Sequence, residues 1–128
     1  MGLKVIPMEK AAGIIPQVLA RNEILALLID QPLTKGGGLV RYFGHLVRLP
    51  GGIAALALRS GARVVPGAAV RLPGDTFLGI VDSPIPFEPS GRFREDVQAL
   101  TQRIVSSLEN VVRQYPDQWF MFRQMWVA

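Results

Sequence analysis

The chain has 128 residues, 49% of them apolar and 19% charged, and it contains no cysteine. That length holds one domain with a real core and is too short for two. The balance excludes a disordered polymer, and the missing cysteine excludes disulfides and thiolate metal sites.

Fourteen Lys and Arg against ten Asp and Glu leave +4 and a pI near 10.1. Most of the basic residues are arginines, the side chain suited to bidentate phosphate or carboxylate contacts. The charge suggests an anionic partner: phospholipid head groups, a phosphorylated sugar lipid, a phosphopantetheine-type donor or nucleic acid. The plain alternative is a basic surface with no partner. No apolar run approaches the roughly 18 residues of a membrane span. The first residues lack the layout of a signal peptide, so a membrane role would rest on peripheral attachment or on an anchor elsewhere.

In chain order, Leu3 to Ile6 is a short β-like run ended by Pro7. Met8 to about Arg21 has helical spacing, with Ala12, Ile15 and Leu19 on one face and Pro16 as a kink or a new first turn. Glu23 to Ile29 is a continuous apolar run, the form of a strand buried on both faces of a parallel sheet, and it ends on Asp30. Residues 31–38 form a glycine-rich loop. Leu39 to Phe43 alternates as a short strand before Gly44. A helix is predicted from Gly51 and Gly52 through Arg59, stopped by Gly61 as a C-cap. Val64 to Arg71 and Thr76 to Val81 flank the turn Pro73-Gly74-Asp75 as a hairpin. Residues 83–91 are loop. Phe93, Val97, Leu100, Ile104, Leu108, Val111 and Tyr115 then mark an amphipathic helix of about six turns, ended by Pro116. Its polar face carries both charge signs, which fits a helix packed on a sheet better than one lying in a membrane.

This order predicts an α/β fold, a mostly parallel or mixed sheet flanked by helices with an antiparallel edge. In such sheets ligands sit beyond the carboxyl ends of strands, which is where Asp30 falls. A carboxylate there must be hydrogen-bonded or paired, and it serves to orient a loop or a cation.

Self-contained chemistry is hard to find. Ser60 in Leu-Arg-Ser-Gly-Ala lacks the serine-elbow glycines. Lys35 precedes Gly36-Gly37-Gly38 where a P-loop needs it to follow. One histidine and no cysteine cannot make a zinc site. His45 could act as a general base given an acidic partner.

The segments Leu27-Leu28-Ile29-Asp30-Gln31, Tyr42-Phe43-Gly44, Ala57-Leu58-Arg59-Ser60-Gly61-Ala62, Val64-Val65-Pro66, Arg71 and Pro116-Asp117-Gln118-Trp119 are individually short. In this order and spacing they resemble the bacterial lipid A biosynthesis (lauroyl/myristoyl) branch of the lysophospholipid acyltransferase-like superfamily. The resemblance runs over nearly the whole chain and implies the C-terminal half of an acyltransferase-type α/β fold. It implies transfer of a fatty acyl chain from an acyl carrier protein or acyl-CoA thioester to a hydroxyl of an anionic glycolipid, a lipid A precursor or similar. It further implies a place at the cytoplasmic face of the bacterial inner membrane, with the thioester as co-substrate and no other cofactor.

The family's catalytic pair is H-x-x-x-x-D/E, whose histidine deprotonates the acceptor hydroxyl. Here His45 is followed five positions on by Pro50, so the chain's one histidine cannot supply the pair. The expectation is a non-catalytic C-terminal portion, inactive alone. Asp30 matches an acidic family position facing the cleft and is the expected supporting catalytic residue. Lys35, Arg41 and Arg71 are expected phosphate contacts, and Tyr42 and Phe43 complete the expected substrate-binding set. The tail departs from the family's W-x-x-H-R-R-W-like ending: Arg123 stands where histidine is common and Met125 where arginine is common. Trp119, Phe122 and Trp126 then read as core or membrane-interface aromatics.

Three further expectations follow: contact with a membrane surface, no nucleic-acid partner because the arginines are scattered, and dimerisation through faces that a missing N-terminal half would cover. The rival reading is a stand-alone basic module that binds anionic lipid without catalysis.

Overall fold

The computed structural model describes residues 2–29 and 36–127. Its elements are helix α1 (Ala11–Ala20), strands β1 (Gly38–Tyr42) and β2 (His45–Leu49), helix α2 (Gly52–Ser60), strands β3 (Gly67–Leu72) and β4 (Thr76–Val81), and helix α3 (Phe93–Gln114). Short 3₁₀ turns precede α1 (Met8–Lys10) and follow α3 (Pro116–Gln118).

Helix α3 organises the molecule because it is covered from two directions. Val97, Leu100 and Ile104 pack toward α2, where Ala54 and Ala57 are small enough for close approach. Val105 and Leu108 pack toward the β1–β2 hairpin. Burial therefore covers a wider arc than the single stripe read from sequence. At its first turn Asp96 is buried and reaches back to accept from the Ser90 N–H, the Ser90 hydroxyl and the Gly91 N–H. These bonds close the loop of residues 83–91 onto the helix start.

The β1–β2 hairpin buries Val40, Tyr42, Val47 and Leu49 against α3 and the tail residue Met125. Strand β2 is a correction to the sequence expectation, which places no element between Gly44 and Gly51. Its turn has positive φ at both central residues, 50° at Phe43 and 80° at Gly44. That geometry belongs to the tight two-residue hairpin turn, where Asn or Asp, not Phe, is the usual first residue.

Glutamines cap the outer edges of β1 and β3. Gln102 accepts from the Arg41 N–H at 2.7 Å and donates to the Arg41 carbonyl at 2.8 Å, while Gln98 donates to the Leu39 carbonyl. Gln118 does the same for β3, accepting from the Arg71 N–H at 2.8 Å and donating to its carbonyl at 2.9 Å. On the other side of β2, Trp126 bridges to Val47 and the Val127 N–H donates to the Leu46 carbonyl.

Several expectations are met and others are corrected. Helix α2 ends at Gly61 in the left-handed conformation (φ 71°), as its C-cap role required. The β3–β4 hairpin forms around residues 73–75, but β3 starts at Gly67 instead of Val64, because Pro66 has no N–H to give a ladder. The run from Leu3 to Ile6 forms no strand. The sheets are two separate antiparallel hairpins, with no parallel pair among the described residues. Glu23 to Ile29, expected as a parallel strand, lies outside both sheets. Along it, Leu25 and Ile29 are half-buried, while Ile24 and Leu28 are 96% and 91% exposed. Such a run becomes a strand only when a neighbouring backbone completes its hydrogen bonds, and no described residue does so. The observed architecture is thus a mixed one of helices and small antiparallel sheets.

Candidate functional site

An apolar space lies beneath residues 25–29. Two adjoining cavities, of about 170 and 310 Å³, share the walls Leu27, Ile29, Ile53, Leu56 and Ile104. Helix α2 supplies Ile53 and Leu56, α3 supplies Ile104, and Ile15 of α1 closes the larger space. The one hydroxyl there, on Thr101, is already spent within α3, donating to the Val97 carbonyl at 2.6 Å. The larger cavity, with such a lining, suits hydrocarbon, while the smaller one mixes apolar side chains with polar surface. Arg63 stands on the rim of the smaller cavity.

Two of the expected site residues, Asp30 and Lys35, lie outside the described residues. Ile29, the residue before Asp30, lines both cavities. Arg41, Tyr42, Phe43 and Arg71 are described, and none of them lines either cavity.

Tyr42 is 1% exposed, with its ring 4.7 Å from Phe43 and 5.4 Å from Trp119. Phe43 stacks on Trp119 at 6.0 Å and lies under the Arg113 guanidinium at 4.9 Å. Its N–H donates to Glu109 at 2.9 Å, and Glu109 pairs with Arg113 at 2.6 Å. The Phe43 N–H first, and then Arg113, hold the Glu109 carboxyl below its ordinary pKa. Arg71 reaches the same region through Gln118, the neighbour of Trp119, but its guanidinium is engaged by the exposed Asp75. Arg41 points to the opposite face of β1 from Tyr42. The structure thus brings Tyr42, Phe43 and the backbone of Arg71 to the tail and leaves the Arg41 side chain apart. His45 is exposed, with its ring 5.1 Å from Trp126.

Three features were missed from sequence: the groove walls, Arg63 and Glu109. Ile53 and Leu56 fall within one expected helix and Ile104 on the apolar stripe of another, and nothing local shows which of them border a void. Arg63 carries no motif that would set it apart from the chain's other arginines.

The model of the bacterial lipid A biosynthesis acyltransferase family matches residues 1–128. Among curated proteins, the chain is similar to the phosphatidylinositol mannoside acyltransferase of Mycolicibacterium smegmatis. The two are 29% identical over 132 aligned residues, covering all of this chain and 41% of the relative. It is similar also to the phosphatidylinositol mannoside acyltransferase of Mycobacterium tuberculosis H37Rv, 27% identical over all of this chain and 40% of that protein. The chain spans about two fifths of the length of these relatives. On a match over its whole length, the chain belongs to the bacterial lipid A biosynthesis acyltransferase family.

Proposed function

We propose that this chain is the C-terminal, acyl-accommodating part of an O-acyltransferase that moves a fatty acyl group onto a hydroxyl of a glycolipid. The observation that carries this reading is the pair of adjoining cavities walled largely by aliphatic side chains, both of them lined by Ile29, the residue before Asp30. In the reaction a general base takes the acceptor's hydroxyl proton and the oxygen attacks the thioester carbonyl. The C–S bond then breaks, leaving an ester and a free thiol. The donor is an acyl carrier protein or CoA thioester; the acceptor is a lipid A precursor or a related glycolipid, such as the mannosides named for the mycobacterial relatives.

The 128 residues lack H-x-x-x-x-D/E, so the base comes from sequence outside them and this portion alone transfers nothing. Asp30 supports the cleft. Lys35, Arg41 and, on exchanging its exposed partner Asp75, Arg71 meet phosphate groups, and Tyr42 with Phe43 completes the substrate-binding set. In the whole enzyme Glu23–Ile29 joins a parallel sheet, and the reaction takes place at the cytoplasmic face of the inner membrane.

The test is binding of acyl-CoA homologues of increasing chain length to the 128-residue chain. Affinity should rise by about 0.8 kcal/mol per added CH₂ until the groove is full, then level off. Ile104→Trp should move the plateau to shorter chains. Affinity independent of chain length, or acyl transfer by this chain that survives Asp30→Ala, overturns the reading.

A further inference from the structure

We propose that the outward face of the β1–β2 hairpin is a docking surface for an anionic bilayer. The pairing of Leu39 with Arg48 and of Arg41 with Leu46 puts these four side chains on one face, opposite the buried Val40 and Val47. All four are exposed. Arginine and leucine alternate both along and across the strands, so each guanidinium sits beside an aliphatic side chain. Exposed Val127 is held beside Leu46 by its N–H bond to the Leu46 carbonyl at 2.8 Å. Neither arginine is paired with a carboxylate among the described residues. Arg41 donates to the Gly44 carbonyl at 3.4 Å and Arg48 to the Gly37 carbonyl at 3.3 Å, which leaves donors on each for a phosphate. Arg71, by contrast, is taken by Asp75.

Charge complementarity selects the partner. Between Asp30 and Asp75 the chain has no acidic residue and six basic ones, Lys35, Arg41, Arg48, Arg59, Arg63 and Arg71. The other eight basic and ten acidic side chains leave the rest of the chain at −2, so the whole positive excess falls in the segment that contains this hairpin. Arginines that reach phosphates while neighbouring leucines enter the head-group boundary are the physical form of a peripheral membrane contact. A nucleic-acid surface would need exposed aromatics among the arginines, and this face has none. For Arg41 the proposal deepens the functional reading above: its phosphate is that of the bilayer in which the acceptor sits.

Flotation of the 128-residue chain with vesicles tests this without donor or acceptor, so it succeeds or fails independently of acyl transfer. The chain should bind phosphatidylcholine vesicles doped with phosphatidylglycerol, bind pure phosphatidylcholine far more weakly, and release as salt rises. Arg41→Gln with Arg48→Gln should weaken binding about thirtyfold, at about 1 kcal/mol per arginine. Arg41→Lys with Arg48→Lys should keep most of it, and Leu39→Ser with Leu46→Ser should lower it while leaving the salt dependence. The charge-matched control, Arg59→Gln with Arg94→Gln, should bind as the parent does. The proposal is overturned by equal binding to neutral and anionic vesicles, by an equal loss in the control, or by tighter binding to duplex DNA that strips the chain from the vesicles.

Discussion

Phe43 concentrates what single residues do in this molecule. An aromatic residue at φ 50° costs about 1–3 kcal/mol of backbone strain. The conformation persists because Glu109 accepts its N–H, Trp119 stacks on its ring and the Arg113 guanidinium lies over that ring. Glu109 and Asp96 are both carboxylates held below their ordinary pKa. For Glu109 the chief cause is the Phe43 N–H; for Asp96 it is the Ser90 N–H, followed by the Ser90 hydroxyl. A carboxylate whose pKa is lower folded than unfolded stabilises the fold fully above the unfolded value, about 4, and this contribution disappears as pH falls through the folded value. The melting temperature should therefore fall with pH below about 4.5. The decline should be shallower in Asp96→Asn with Glu109→Gln, and a parent melting temperature flat from neutral pH to pH 3 would refute the assignment.

At the scale of elements, strand edges are closed by side chains instead of more strands. Gln102 stands in for a neighbouring strand at Arg41, and Gln118 does so at Arg71. Each leaves its backbone partners satisfied where an open edge would recruit another chain. Gln102→Ala should lower stability to denaturant by about 1–3 kcal/mol, two hydrogen bonds' worth, and should raise aggregation on mild heating. Gln102→Glu keeps the acceptor for the Arg41 N–H but loses the donor to its carbonyl, so it should fall between parent and alanine. Loss of stability with no rise in aggregation would show that these bonds hold the helix without guarding the edge.

At the scale of the whole molecule, the apolar segment of residues 23–29 is covered on one side only. Residues 23–29 turn Leu25 and Ile29 inward and Ile24 and Leu28 outward, the alternation of a strand lacking its neighbours. If this face drives self-association of the chain, Ile24→Lys with Leu28→Lys should convert a concentration-dependent dimer to a monomer by sedimentation while leaving the melting temperature of the monomer unchanged. An unaltered dimer would move the interface to another surface.

Helix α3 was legible because 22 residues repeat one apolar period, and the cap at Gly61 and the turn at residues 73–75 because glycine and proline act locally. Family membership was legible from short motifs in a fixed order, which need no three-dimensional contact to be recognised. Strand β2 escaped because its turn begins with Phe43, a residue type that tight turns disfavour and that Glu109, Arg113 and Trp119, all 66 or more positions away, make tolerable. The groove escaped for a related reason: its walls come from α1, the extended segment, α2 and α3, and a void exists only once those elements pack together. Sequence alone thus determined the helices, the Gly61 cap, the turn at residues 73–75 and the family, because each rests on interactions within a few residues or on motif order. Folding decided which apolar faces meet, which strand edges are closed and where the cavity lies, because each depends on side chains brought together from distant parts of the chain.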